Sequence, residues 1–207
     1  MTAKRALDLS LGCAGLLVAA PILLSIAVAM RLSGDPGPLF HRARRVGEGG
    51  RVFTILKVRT MLVDAGGSGI TGQNDPRVTP IGRVLRRYRL DELPQLLNVV
   101  RGDMSLVGPR PEDPAYVDFR DALHRRIFTS RPGITGLAQL EFHDEAELLG
   151  HTDDDLDRRY RDVVLPRKLR IDARYLDQRS MRLDVEILLR TMAVVIGGRR
   201  TRPPGGT

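Results

Sequence analysis

At 207 residues the chain can build one sizeable hydrophobic core, and its 42% hydrophobic content excludes a polar, disordered polypeptide. Its 33 Lys+Arg against 25 Asp+Glu leave a net charge of +8, which points to anionic partners such as nucleic acid, anionic lipid headgroups or phosphorylated small molecules. The single cysteine, Cys13, excludes an intrachain disulfide and a cysteine-cluster metal site, and the histidines at 41, 124, 143 and 151 lack metal-ligand spacing.

The first element is apolar. LSLGCAGLLVAAPILLSIAVAM, positions 9 to 30, runs for 22 residues without a charge, about 33 Å as a helix and enough to cross a bilayer. A signal peptide competes, because Lys4 and Arg5 precede the run and Val18-Ala19-Ala20 loosely resembles a cleavage site. Against it, the run continues to Met30 and Pro21 stands directly after the cut. Lys4 and Arg5 on one side, and Arg31, Arg42, Arg44 and Arg45 on the other, draw both flanks toward the cytoplasm. A straight span satisfies one flank only. Pro21 lacks an N–H and clashes with the carbonyl four residues back, so it should kink or break the helix and could let it leave by the face it entered. From these residues alone a tilted, kinked anchor and a re-entrant helix stand level.

GDPGP at 34 to 38 reads as a turn and RVFTILKV at 51 to 58 as a strand, with Lys57 and Arg59 at its exit beside Thr60 and Met61. AGGSGITGQNDP, 65 to 76, is a loop by composition. Neither it nor VGEGG at 46 to 50 has the glycine spacing of a phosphate-binding loop.

The stretch LDELPQLLNVVRGDMSLVGPRP, 90 to 111, carries the densest chemistry. Leu93, Leu96, Leu97 and Val100 share one helix face, Gly102 stands at the C-terminal cap, and Asp91 suits the N-cap with Glu92 in the first turn. Acidic residues at a helix start commonly do nothing more than satisfy orphan N–H groups. Here, however, Arg83, Arg86, Arg87 and Arg89 crowd the approach, and Arg110 is held between two prolines in extended backbone. Guanidinium forks suit phosphate oxygens. Two carboxylates beside such a pocket suit Mg²⁺ held together with substrate oxygens, and also supply a nucleophile.

In these pieces the chain resembles the bacterial monotopic phosphoglycosyl transferases, or bacterial sugar transferases, in their short single-domain form. The matching segments run in order: KRALD, DPGPLF, KVRTM, LRRYRLDELPQLLNVVRGDMSLVGPRPE, RPGITGLAQ, the YRDVVLPRKLRIDARYL region and LDVEILLRT. The resemblance implies transfer of a sugar 1-phosphate from a UDP-sugar to polyprenyl (undecaprenyl) phosphate, giving polyprenyl diphosphate sugar and UMP through a covalent aspartyl phosphosugar. It implies Asp91 as nucleophile, Glu92 as its partner on Mg²⁺, and Lys57, Arg59, Arg86, Arg110 and Arg131 as phosphate-binding residues. It also favours re-entry at Pro21, with the catalytic domain on the cytoplasmic face of the bacterial inner membrane. The implied partners are the UDP-sugar, polyprenyl phosphate and membrane lipids; nucleic acid is not among them, and a homo-oligomer is allowed.

The chain departs from the family pattern at Ala20-Pro21, where many members have Ser-Pro, and after GLAQ, where LEFHDEAELL replaces an Asn-Gly-Arg-Asn-like sequence and His143 falls near the arginine's place. Eight acidic residues without Lys or Arg, from Glu141 to Asp157, read as a solvated face. Residues 157 to 176 read as a solvent-facing, salt-bridged helix, 183 to 196 as a helix against the membrane or the core, and 199 to 207 as a disordered basic tail. The expected fold is α+β and mainly helical: a membrane helix broken at Pro21 (1–32), then a catalytic domain with a short strand pair (33–198). The rival from another class is a noncatalytic, membrane-anchored phosphate- or nucleotide-binding protein. A nucleic-acid binder is disfavoured by 4% aromatic residues and the lack of a binding motif.

Overall fold

The computed structural model describes residues 3–34, 37–63, 66, 75–142 and 153–197. Most of the 65–76 loop, His143, the centre of the acidic stretch and the 199–207 tail lie outside these residues.

Helix α1, Ala3–Leu32, is the apolar segment, and it runs without interruption through Pro21. The expected break is therefore absent. Proline removes one ladder donor only, an apolar helix tolerates that loss, and packing on both sides of the residue holds the line. Ala19 before it is 1% exposed, and Ile22 and Leu23 after it pack on the body. One stripe of α1, Asp8, Gly12, Ala19, Ile26 and Met30, is buried, whereas Leu17, Val18, Leu24 and Val28 on the remaining surface are exposed. By length and composition α1 is long and apolar enough to cross a membrane.

Both ends of α1 are fastened to the same body. At its start, Lys4 Nζ donates to Asp184 Oδ2 (2.6 Å) and to the Val107 carbonyl (3.0 Å), and Arg5 donates to the carbonyls of Val99 (2.6 Å) and Val100 (2.8 Å). Asp8 Oδ1 accepts from Ser105 Oγ (3.0 Å) and the Leu106 N–H (2.9 Å). The charges of KRALD thus serve as a docking clamp. Its far half meets Val58 and Leu85 through Ile26 and Met30. Asp8→Ala would strand the Ser105 and Leu106 donors in a buried place. We expect it to cost about 2–4 kcal/mol, read as a lowered thermal midpoint in detergent, with Arg101→Ala as an exposed control.

Strand β1, Phe40–Val46, pairs antiparallel with β2, Val52–Val58, from Phe40↔Val58 to Val46↔Val52. The Lys57–Arg59 exit of the second strand stands as read, whereas FHRARRV, with four of its seven residues exposed, shows no apolar alternation that would announce β1. Helix α2, Pro80–Arg87, is capped by Thr79, whose hydroxyl accepts the Gly82 N–H (2.9 Å). A 3₁₀ turn, Leu90–Gln95, leads into α3, Leu96–Arg101, which ends at Gly102 with φ 93°. The glycine cap is where the sequence placed it, because only glycine takes that left-handed geometry cheaply. Of the apolar face, Leu96 and Val100 meet Gly15 and Gly12 of α1, with Leu96 also packed against the main core, while Val99 and Asn98 are fully buried.

A second, parallel pair joins β3, Ser105–Val107, to β4, Gly133–Thr135, on either side of α4, Ala122–Ile127. The backbones meet so closely that a Cβ on Gly133 would lie 2.1 Å from the Gly108 nitrogen, which no side chain can share. Helix α5, Leu137–Glu141, follows, then α6, Asp153–Arg159, a π-helical turn over Tyr160–Val164, α7, Leu165–Gln178, and α8, Met181–Gly197. Residues 157 to 176 carry the expected surface pairs, Arg161–Asp157 and Arg158–Asp162. Their other face is core, however: Tyr160, Val164, Leu165 and Leu169 pack with Ile127. Helix α8 meets the core on one side, with Ile187 buried in the main core, and leaves Val185, Leu189, Met192 and Ile196 exposed on the other.

Candidate active site

The 3₁₀ turn sets the acidic pair. Arg89 before it adopts φ 53°, ψ 24°, the one positive φ outside glycine among the described residues. That left-handed residue turns the chain from α2 into the Leu90–Gln95 turn. Asp91 is therefore not the N-cap expected from the sequence; it sits inside the first turn, and Pro94 lies further along the same turn. Strand β2 packs directly on this turn, which brings Lys57 across from the acidic pair.

Glu92 is the electrostatic centre. Lys57 Nζ donates to its Oε1 at 3.1 Å, Arg110 Nη1 stands 3.9 Å from the same oxygen, and Arg89 Nη1 stands 3.9 Å from Oε2. Burial pushes this carboxyl up, but the charges of Lys57, Arg110 and Arg89 outweigh burial and hold it down at about 2. Glu92 is thus a fixed anion ringed by three cations. Its neighbour is the opposite case: Asp91 is 8% exposed, and burial first, then the negative charge of Glu92, raises its carboxyl above the ordinary aspartate value despite the pull of Lys57 and Arg86. Arg86 is itself held by a 2.8 Å bond from Nε to Thr60 Oγ1.

A narrow pocket opens over Glu92, lined by Arg45, Ile55, Lys57, Gln95, Arg110 and Ile134 among others. Its walls come from the hairpin, the 3₁₀ turn and the β3–β4 crossover. Gly133 N–H donates to the Pro109 carbonyl (2.8 Å), so the RPGIT segment props the GPRP segment that carries Arg110.

Of the residues proposed from sequence, Asp91, Glu92, Lys57, Arg86 and Arg110 come together. Arg59 and Arg131 do not join them. Arg59 is buried, and it donates from Nε to the Pro38 carbonyl (2.7 Å) and from Nη1 to the Met61 carbonyl (3.2 Å), tying the residues before β1 to the strand exit. Arg131 Nε pairs with Glu48 Oε2 at 3.2 Å beside a separate pocket lined by Arg51, Phe53 and Asp103. Two residues of the site went unassigned: Arg89, read only as one arginine in a cluster, and Arg45, read only as a membrane flank. The alternation that puts Arg45 and Lys57 on one face of the hairpin becomes visible only once the register Arg45↔Phe53, His41↔Lys57 is known.

No group of three or more His, Cys, Asp or Glu side chains is arranged to hold a metal ion by itself among the described residues. The pair nevertheless fits Mg²⁺. This ion takes hard oxygens, usually one or two carboxylates completed by substrate phosphates and water. Asp91 and Glu92 offer such oxygens side by side, and burial together with the charge of Glu92 already disfavours the Asp91 anion that a dication would stabilise.

The family model described as bacterial sugar transferase matches residues 1–198. The UDP-glucose:undecaprenyl-phosphate glucose-1-phosphate transferase of Caulobacter vibrioides is 43% identical over 197 residues, which cover 91% of this chain and 68% of that protein. The UDP-N-acetylgalactosamine-undecaprenyl-phosphate N-acetylgalactosaminephosphotransferase of Aeromonas hydrophila is 36% identical, over 94% of this chain and 44% of its own length. The exopolysaccharide production protein ExoY of Rhizobium meliloti is 34% identical, over 93% of this chain and 85% of its own length. The chain therefore spans less than half of the Aeromonas protein and most of the Rhizobium one.

Proposed function

The chain belongs to the bacterial sugar transferase family, and from that membership we propose that it moves a sugar 1-phosphate from a UDP-sugar to polyprenyl phosphate, releasing UMP. The observation that carries this reading is the acidic pair itself. A permanently ionised Glu92 inside a ring of Lys57, Arg89 and Arg110 stands next to an Asp91 whose anion is destabilised by its surroundings. Phosphoryl transfer is catalysed chiefly by positioning and by stabilising charge on the transferring group, and this pocket supplies both.

The proposed route has two displacements at one phosphorus. An Asp91 carboxylate oxygen attacks the donor phosphorus that bears the sugar, the bond from that phosphorus to the bridging oxygen breaks, and UMP departs. A phosphate oxygen of the polyprenyl acceptor then attacks the same phosphorus and frees the Asp91 carboxylate, leaving polyprenyl diphosphate sugar. Lys57, Arg86 and Arg110 hold the phosphate oxygens. Glu92 would hold Mg²⁺, which when bound neutralises pyrophosphate charge. Splitting the reaction keeps two polyanionic substrates from having to share the pocket. Because the relatives are named for different sugars, glucose and N-acetylgalactosamine, the donor is specified here as a class.

Membrane placement follows the same reading. A helix clamped to one body at Lys4, Arg5 and Asp8 and again at Ile26 and Met30 cannot send its two ends to opposite sides of a bilayer while the body stays on one. We take both ends of α1 to stay on the cytoplasmic side, as the re-entrant reading requires, with the helix seated along the membrane surface and Leu17, Val18, Leu24 and Val28 turned toward lipid. The catalytic domain, residues 33–198, then lies at headgroup level, where the acceptor phosphate is. The test is transfer by the full chain in nanodiscs, with Mg²⁺, a panel of UDP-sugars and undecaprenyl phosphate. Formation of the lipid-linked product with stoichiometric UMP supports the reading. Binding of UDP-sugar with neither product assigns the chain to the noncatalytic, membrane-anchored class instead.

A further inference from the structure

The cations around Glu92 are divided between the two edges of its carboxylate. Lys57 Nζ donates to Oε1 at 3.1 Å and Arg110 Nη1 stands 3.9 Å from that same oxygen, whereas Arg89 Nη1 stands 3.9 Å from Oε2. On its other side Arg89 Nη2 donates to the Gln139 carbonyl of α5 at 3.5 Å, the outer limit of a hydrogen bond. Both contacts are longer than the about 2.7–3.2 Å at which an N–H donor is fully engaged, and a guanidinium has five such donors. Arg86, by contrast, is locked on Thr60 at 2.8 Å. The Arg89 side chain is 31% exposed, against 13% for Glu92. It is held near the carboxylate without being saturated there, and it is open to a ligand.

The backbone at this position suits a different residue. φ 53°, ψ 24° is left-handed geometry that glycine takes freely and that a residue with a side chain takes at a cost. The turn itself is made by main chain: the Arg89 N–H donates to the Arg86 carbonyl (3.2 Å), and the Arg89 carbonyl accepts the Glu92 N–H (3.2 Å). Glycine would preserve both bonds and the placement of the acidic pair. The chain nevertheless carries arginine here, with its guanidinium turned on Glu92. Strain borne beside a site in this way points to a use for the side chain.

We infer that Arg89 is the phosphate-monoester ligand of the site: it holds the phosphate that leaves with UMP and, afterwards, the polyprenyl phosphate that attacks. This inference rests on the reading of the Glu92 pocket as the phosphoryl-transfer centre with Asp91 as nucleophile. A diphosphate donor brings two anionic phosphates, and the cations are divided to match, Lys57 and Arg110 on one edge of Glu92 and Arg89 on the other. In the first displacement the bond from the Asp91 oxygen to phosphorus forms and the bridging P–O bond breaks. The electron pair stays with the UMP phosphate, which gains the negative charge that Arg89 offsets. Attacking and leaving oxygens lie roughly in line in such transfers, so UMP departs from the side opposite Asp91. In the second displacement a polyprenyl phosphate oxygen bonds to the same phosphorus as the Asp91 bond breaks, and it too must arrive opposite Asp91. The two phosphates therefore occupy one position in turn, and one guanidinium serves both.

The experiment compares wild type, Arg89→Gly and Arg89→Lys as full chains in nanodiscs, with UMP as the probe. In a two-displacement scheme kcat/KM for the UDP-sugar reports the first step and kcat/KM for polyprenyl phosphate the second. Arg89→Gly is expected to lower both by about 10–100-fold and to raise the inhibition constant of UMP about tenfold or more, the scale of one charge-assisted hydrogen bond. Its thermal midpoint should stay within about 3 °C of wild type, because glycine relieves the left-handed backbone. Arg89→Lys keeps the charge but loses the fork, and it should fall between the two. Glycine is the substitution that a purely conformational role tolerates best, so an Arg89→Gly variant within about threefold of wild type overturns the inference. Unchanged inhibition by UMP, or a loss confined to the UDP-sugar with polyprenyl phosphate unaffected, overturns it as well. If Arg89→Gly does not fold, Arg89→Asn takes its place, since asparagine also adopts left-handed geometry. A wild type that neither transfers from any donor nor shifts its thermal midpoint with UMP is a separate outcome, which fells the reading of the site and this inference with it.

Discussion

Asp91→Asn abolishes transfer, by at least about 10³-fold in kcat/KM, and leaves the protein at least as stable as the wild type. The first half follows from the role: an amide of the same shape has no anionic oxygen with which to form the phosphosugar linkage. The second half follows from the surroundings. Asp91 is 8% exposed and carries its charge beside that of Glu92, so its ionised form is disfavoured by burial and by a like charge. Removing the charge relieves both. The measurements are steady-state transfer in nanodiscs and the thermal midpoint of the purified variant. Turnover within about tenfold of wild type removes Asp91 as nucleophile.

Glu92→Gln is expected to act with the opposite sign on stability. Three cations, Lys57, Arg89 and Arg110, converge on a carboxylate whose side chain is 13% exposed, and glutamine leaves them facing one another without an anion. The expected loss is about 1–3 kcal/mol, seen as a lower thermal midpoint where Asp91→Asn shows none. Transfer falls by about 10²–10³-fold, the scale for removing one preorganised electrostatic group from a transition state. If Glu92 holds the metal, the Mg²⁺ concentration at half-maximal rate also rises by about tenfold or more in this variant. An unchanged Mg²⁺ dependence assigns the ion to the substrate phosphates alone.

Much of the site was readable before any fold was known, and the reasons are local. Asp91, Glu92 and Arg110 lie within one ordered stretch, where the acidic pair and an arginine fixed between prolines restrict the chemistry by themselves. Lys57 could be placed at a strand exit because RVFTILKV has strand periodicity. What failed to read through was pairing at a distance. Four of the seven β1 residues are His or Arg, and only Ala43 and Val46 turn toward the interior, so the strand lacks the alternation that marks half-buried strands. The β3–β4 pair is three residues long on each side and depends on the close approach of Gly108 and Gly133, which no periodicity announces. The two arginines that left the site, Arg59 and Arg131, satisfied the chemistry of phosphate binding as residue types. Their assignment to carbonyl groups and to Glu48 is decided by tertiary packing.

The first helix does not break at Pro21 for a related reason. The proline rule describes what one missing donor does to an isolated helix, whereas α1 is seated along a body that holds it on both sides of that residue. The KRALD residues carried a second message beyond their charge. Lys4, Arg5 and Asp8 neutralise themselves on Asp184, on the carbonyls that end α3 and on the start of β3, and a flank that reads as topogenic becomes a clamp.

The central claim is a covalent phosphosugar on Asp91. The most direct measurement is the intact mass of the detergent-purified chain after incubation with Mg²⁺ and a panel of UDP-sugars in the absence of polyprenyl phosphate, run beside Asp91→Asn. The account predicts one sugar-phosphate adduct on the wild type, none on the variant, and discharge of the adduct when polyprenyl phosphate is added. Transfer to lipid by a wild type that shows no adduct under any quench, or an adduct that persists in Asp91→Asn, would contradict it.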